Sequence, residues 1–150
     1  MPTTGGELMP WSFVLDRLAT ARNYWVSTVR PDGRPHAAPI WGVLVEDDLY
    51  LETDPSTRKG RNLAADPRVS VHPELTDEVV IVEGTAEPFR PDERTGVALA
   101  AAFASKYPGY RPEPGDWDGG SLYLVTPDVV LAWRDMPTAT RWRFRAGPGR

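Results

Sequence analysis

The chain has 150 residues with 16 Pro, 13 Gly, no Cys and a formal charge of −4. That length suits one domain over 1–150, large enough to bury a core without a disulfide or metal staple. The lack of Cys excludes thiolate catalysis, Cys-ligated zinc and iron–sulfur chemistry, and the mild acidity argues against nucleic acid as a partner of the whole surface.

No apolar run approaches the roughly 20 residues of a membrane span. The N-terminus lacks the basic-then-apolar layout of a signal peptide. The expectation is a cytoplasmic protein with no membrane partner, and with flexible tails at 1–10 and 146–150. The basic residues are almost all Arg; the two lysines, Lys59 and Lys106, therefore stand out.

The first predicted element is a helix from Ser12 to Ala21, with Ser12 as N-cap and Phe13, Leu15, Leu18 and Ala19 as its apolar stripe. Tyr24–Val29 and His36–Val45 read as a hairpin around the Pro31-Asp32-Gly33 turn, and Leu49–Thr53 as a third strand. Asp54-Pro55-Ser56-Thr57 opens a short helix to about Ala65, which Asp66-Pro67 ends. Arg68–His72 and Val79–Phe89 are strands, with a bulge at Gly84. Pro91-Asp92-Glu93 starts an Ala-rich helix to about Tyr107, with Pro91 in its first turn. After a Pro- and Gly-rich loop, 108–120, come the strands Ser121–Thr126, Val129–Arg134 and Arg141–Phe144. Three helices and about eight short strands predict a mainly β, α+β fold: an antiparallel barrel of Greek-key type.

Nucleotide fingerprints, a His-Glu-x-x-His helix and a Gly-x-Ser-x-Gly elbow are all absent, and two isolated strand histidines, His36 and His72, make no metal site. Asp116 and Asp118 read as solvated acids. Trp117 between them either folds onto the core or serves as a lid. The segment Thr53–Val71 breaks a local rule. Arg58, Lys59 and Arg61 crowd the positive end of a helix, where cations cost stability unless an anion sits there. Free N–H groups, hydroxyls and cations together suit a phosphate. A solvated basic turn, screened by salt, is the other reading.

Thr57-Arg58-Lys59, Leu63 and Asp66-Pro67-Arg68-Val69-Ser70 resemble the pyridoxamine 5′-phosphate oxidase superfamily. So do Pro31-Asp32-Gly33, Pro39-Ile40-Trp41, Thr53 at the end of its strand, and Thr140-Arg141-Trp142-Arg143-Phe144. The likeness runs from about Trp11 to Phe144 and is densest between Tyr24 and Val71. It implies a split β-barrel that forms a homodimer with FMN or the deazaflavin coenzyme F420 at the interface. Arg58 and Lys59 would grip the cofactor phosphate, with Thr53, Ser56 and Thr57 assisting and Arg61 nearby. The strand at Pro39, Ile40 and Trp41 would face the ring system.

Two departures narrow the implied activity. The segment His36-Ala37-Ala38-Pro39-Ile40-Trp41 stands where true pyridoxine-phosphate oxidases carry a basic strand. Arg141-Trp142-Arg143 stands where they carry Arg-x-His. The chain resembles the small actinobacterial deazaflavin-dependent relatives more closely. The expected function is hydride transfer between reduced F420 or FMN and a small organic acceptor. The alternatives are a carrier or sensor of the same cofactor without turnover, and an RNA-phosphate binder, the last disfavoured by the acidic total and the lack of a stacking motif. No side chain is assigned a catalytic role, since the cofactor supplies the chemistry. In the last strand Trp142 and Phe144 face the barrel, while Arg141, Arg143 and Arg145 face away. Arg141 or Arg143 is a candidate for an anion contact, or is merely solvated.

Overall fold

A proline, not a serine, opens the first helix. Helix α1 (Trp11–Thr20) follows Pro10, whose extended backbone occupies the cap position with no side-chain cap. Ser12 is therefore the second residue of the helix and not its cap. The computed structural model describes residues 7–144; residues 1–6 and 145–150, which include Arg145 and most of the expected tails, lie outside the described residues. Met9, expected in a tail, is instead buried, and its N–H donates to the Thr140 hydroxyl at 2.9 Å.

Strands β1 (Tyr24–Val29) and β2 (Pro35–Val45) form the expected hairpin, with Gly33 at a φ of 86° in the turn. β3 (Asp48–Glu52) doubles back on β2 through Glu46 and Asp47, both at positive φ, as a two-residue primed turn requires. After helix α2 (Arg58–Ala65), β4 (Arg68–Pro73) returns beside β1 rather than beside β3. The spatial order β3-β2-β1-β4 is a Greek key, with α2 as its long connection. β5 (Val79–Pro88) then pairs with β4. Helix α3 (Glu93–Lys106) starts at Asp92, whose carboxylate accepts the Thr95 N–H at 2.7 Å. Pro91 thus precedes the cap rather than entering the first turn.

The largest departure is β6 (Leu122–Trp133). The sequence reads as two strands broken at Pro127; the structure has one strand with a bulge. Glu83 faces Val129 and Gly84 faces Pro127, so Asp128 drops out of register. A bulge is where a strand tolerates a proline. Gly84 sits opposite, as expected, and a Cβ there would lie 2.0 Å from the Thr126 carbonyl oxygen. β7 (Thr140–Arg143) completes seven strands among the described residues, against the eight expected. β3 pairs with the start of β6 and closes a six-stranded antiparallel barrel, and β7 pairs with the far half of β6.

Two apolar clusters form the core among the described residues. One packs Phe13, Val14 and Leu18 of α1 against Tyr24, Val26, Leu51 and Val71 of the barrel. The other packs Leu99, Phe103 and Tyr107 at α3 against Val43, Tyr50 and Leu122. Trp117 belongs to the second cluster and is 1% exposed, which decides its two readings in favour of the core. Trp142 and Phe144 stand 5.2 and 5.5 Å from the Trp11 ring, while Arg141 and Arg143 are exposed. Among the described residues no helix is long and apolar enough to cross a membrane.

Candidate cofactor-binding site

The turn before α2 is built by side chains shorter than the cations they present. The Asp54 carboxylate accepts both the N–H and the hydroxyl of Ser56, at 2.8 and 2.6 Å. Thr57 is the N-cap. Its hydroxyl donates to the Asp54 carbonyl at 2.7 Å, accepts the Gly60 N–H at 3.2 Å and lies 3.1 Å from the Thr53 hydroxyl. Gly60 is required: a Cβ would come within 2.7 Å of the Asp54 and Pro55 carbonyl oxygens. Thr53, Ser56 and Thr57 thus act first as the scaffold of the turn.

What the turn leaves unsatisfied is cationic or donating. The backbone N–H groups of Arg58 and Lys59, first in the helix, have no acceptor among the described residues. Nor does any carboxylate among them lie within ion-pair distance of Arg58, Lys59 or Arg61. The field of this group reaches β2. Burial first, then Arg30, Arg58 and Lys59, push the His36 imidazole below its ordinary pKa, and its Nδ1 is buried with no partner among the described residues. Donors without acceptors and cations without anions fit a bound phosphate.

Lys59 opens onto a cleft of about 460 Å³ lined by Asn23, Pro39, Ile40, Trp41, Glu52 and Lys59. The structure therefore brings Lys59 together with the three β2 residues named from the sequence. Arg58 and Arg61 share the helix but do not line this cleft, and Arg141 sits on β7 opposite Leu131, away from it. Trp41 is 42% exposed, and its ring stacks on Tyr107 at 4.2 Å with 10° between planes. Tyr107 is itself held by hydrogen bonds to the Arg22 carbonyl at 2.6 Å and to the backbone of Gly42.

Sequence reasoning missed Glu52 and gave Lys106 no role. Glu52 ends β3 and receives the Trp117 indole N–H, as well as the Tyr110 hydroxyl at 2.6 and 2.7 Å. Burial first, then hydrogen bonding to Glu52, raise the Tyr110 phenol well above its ordinary pKa, so it stays a donor. Lys106 ends α3 beneath the platform and donates to the Tyr24 hydroxyl at 2.6 Å and to the Gly42 carbonyl at 2.8 Å. Desolvation lowers its pKa to about 8.

Comparison with known proteins follows the same lines. Residues 13–134 match the pyridoxamine 5′-phosphate oxidase family. A pyridoxine/pyridoxamine 5′-phosphate oxidase from Nocardioides sp. is 32% identical over 160 aligned positions, covering 83% of this chain and 72% of its own. A protein of the same name from Bacteroides thetaiotaomicron is 31% identical, over 79% of this chain and 70% of its own. Among solved structures, a conserved hypothetical protein from Mycobacterium tuberculosis superposes with a TM-score of 0.68 at 24% identity, over 85% of this chain and 86% of its own. That likeness is one of fold, the split barrel. With the family match spanning most of the chain, the protein belongs to the pyridoxamine 5′-phosphate oxidase family of flavin-binding split-barrel oxidoreductases.

Proposed function

We propose that the protein is a homodimeric oxidoreductase that transfers a hydride between reduced FMN or coenzyme F420 and a small organic acceptor. The observation that carries this reading is that Lys59 of α2 and Pro39, Ile40 and Trp41 of β2 line one cleft. FMN is the cofactor typical of the family, and F420 is kept because of the departures at His36–Trp41 and Arg141–Arg143.

In this reading the N-terminal turn of α2 binds the phosphate through the Arg58 and Lys59 side chains and their free N–H groups. The β2 backbone at Pro39–Trp41 lies along the ring. Trp41, braced by Tyr107, fixes the floor of the cleft. The bound cofactor supplies the hydride chemistry; the chain's residues hold, orient and exclude water. Both curated relatives carry the name of a pyridoxine/pyridoxamine phosphate oxidase, which makes that activity the second reading. The lack of the basic strand and of Arg-x-His weighs against it.

The deciding experiment is a parallel titration with FMN and with F420. Tight binding of either one, followed by its turnover only when an acceptor is added, supports the oxidoreductase. Binding without turnover on any acceptor supports the carrier. Binding of neither refutes the site.

A further inference from the structure

The cleft has two chemical ends. At α2 it presents an ammonium group and unpaired N–H groups, which suit a phosphate. At the end of β3 it presents the opposite: the Glu52 carboxylate, held among the described residues by the neutral donors Tyr110 and Trp117. A carboxylate offers about four acceptor positions. One hydroxyl and one indole N–H leave at least one of them free, and among the described residues no cation lies within ion-pair distance of Glu52. A phosphate-binding cleft gains nothing from a carboxylate placed this way, since it repels the phosphate. Beside it lies the exposed part of Trp41, and an indole face attracts cations through its quadrupole.

From these two groups we infer that Glu52 and Trp41 form a specificity subsite for a planar organic cation or an N–H-rich planar group. The substrate of this cleft then carries an amidine-, amine- or ring N–H donor toward Glu52, and carboxylate-bearing acceptors are turned away. Tyr110 and Trp117 are positioning residues: they fix the carboxylate rotamer, so the loop 108–120 sets selectivity through Glu52 without reaching into the cleft. The inference rests on the reading of this cleft as the cofactor and substrate site.

The test uses three probes of similar shape: benzamidine, cationic at pH 7; benzamide, neutral; and benzoate, anionic. Their binding is measured by calorimetry on the full chain, with and without saturating FMN. Wild type is expected to bind benzamidine at least about tenfold more tightly than benzoate, with benzamide between. Glu52→Gln keeps an acceptor for Tyr110 and Trp117 but turns an amide N–H₂ toward the cleft. It should bring the benzamidine and benzoate affinities within about threefold of each other. Equal wild-type affinity for benzamidine and benzoate overturns the inference without any variant. A preference that survives in Glu52→Gln overturns it as well. If FMN fails to bind while the Glu52-dependent preference holds, the cofactor reading falls and the cation subsite stands.

Discussion

Asn62 of α2 donates its side-chain N–H₂ to the hydroxyl of Thr28 on β1 across 3.0 Å, and both side chains are buried. The helix that presents Lys59 is thus pinned to the barrel by one polar contact in apolar surroundings. The amide oxygen of Asn62 has no partner among the described residues. Thr28→Val would leave the amide wholly unpaired, at a cost of about 1–3 kcal/mol. Replacing both, as Thr28→Val with Asn62→Leu, removes the orphaned groups together and should recover much of that loss. Urea melts of the four proteins check this. The pin also places α2, so FMN affinity should fall in the single variant and return in part in the double one.

Lys59 tests the phosphate socket. A charge-assisted hydrogen bond to a phosphate is worth roughly 1.5–3 kcal/mol, and each 1.4 kcal/mol is about tenfold in affinity. Lys59→Ala should weaken cofactor binding by about 10–100-fold, and Arg58→Ala added to it should weaken binding further. The free protein should respond the other way. Taking a cation from the positive end of α2 relieves repulsion, so stability should hold or rise by a few tenths of a kcal/mol. Paired thermal melts with and without cofactor measure both effects. A Lys59→Ala protein that is less stable when free, with an unchanged ligand-induced shift, would make Lys59 structural.

Lys106 gives a pH dependence with a definite sign. Its pKa falls from 10.5 to about 8 in the folded chain because burial disfavours the ammonium. Between about pH 8 and 10.5 the unfolded chain therefore holds a proton that the folded chain has released, and stability rises with pH across that window. Below pH 8 both states carry the proton and the penalty is constant. Lys106→Met removes the titration. The Tyr107 hydroxyl stays 3.0 Å from the Gly42 carbonyl, and Tyr24 still donates to the Leu18 carbonyl. Wild type should gain stability relative to Lys106→Met as pH goes from 8 to 10, read from denaturant melts at each pH. A parallel pair of curves would show that Lys106 is not buried as a cation.

Assembly is open to a direct measurement. A cofactor shared across a two-fold interface needs a self-complementary dimer. Light scattering should give about twice 16.6 kDa, the mass of one chain. A monomer at micromolar concentration that binds cofactor tightly would remove the shared-site reading.

The substrate departures give a negative prediction. With FMN in excess, neither pyridoxine nor pyridoxamine 5′-phosphate should be oxidised at a meaningful rate. Peroxide release is the readout, and robust release with either compound would restore the activity that names the curated relatives.

What was readable in the sequence lies on local signals. The β1–β2 turn is set by Pro31-Asp32-Gly33, the α2 cap by Thr57, and the cationic helix end by adjacent residues, so each could be found in a short window. Glu52 could not. It reads as an ordinary charged residue at a strand end, and its meaning comes from Tyr110 and Trp117, 58 and 65 positions later in an aperiodic loop. The signal present was Trp117 itself, a large aromatic amid Pro and Gly that needed a partner for its indole N–H. β6 was split for a related reason. Pro127 breaks a strand by local rules, and only the partner register at Gly84 shows that a bulge absorbs it.

One side of β6 is occupied by two strands placed end to end. β3 takes Leu122–Leu124 and β7 takes Val129–Ala132. The two take different rungs, so the barrel seam and β7 divide that side of β6 between them. Were β3 to run on along that side, β7 would be displaced, and with it the Trp142 ring that packs on Trp11. The five-residue length of β3 thus leaves room along β6 for the strand that carries Trp142 to Trp11 of α1.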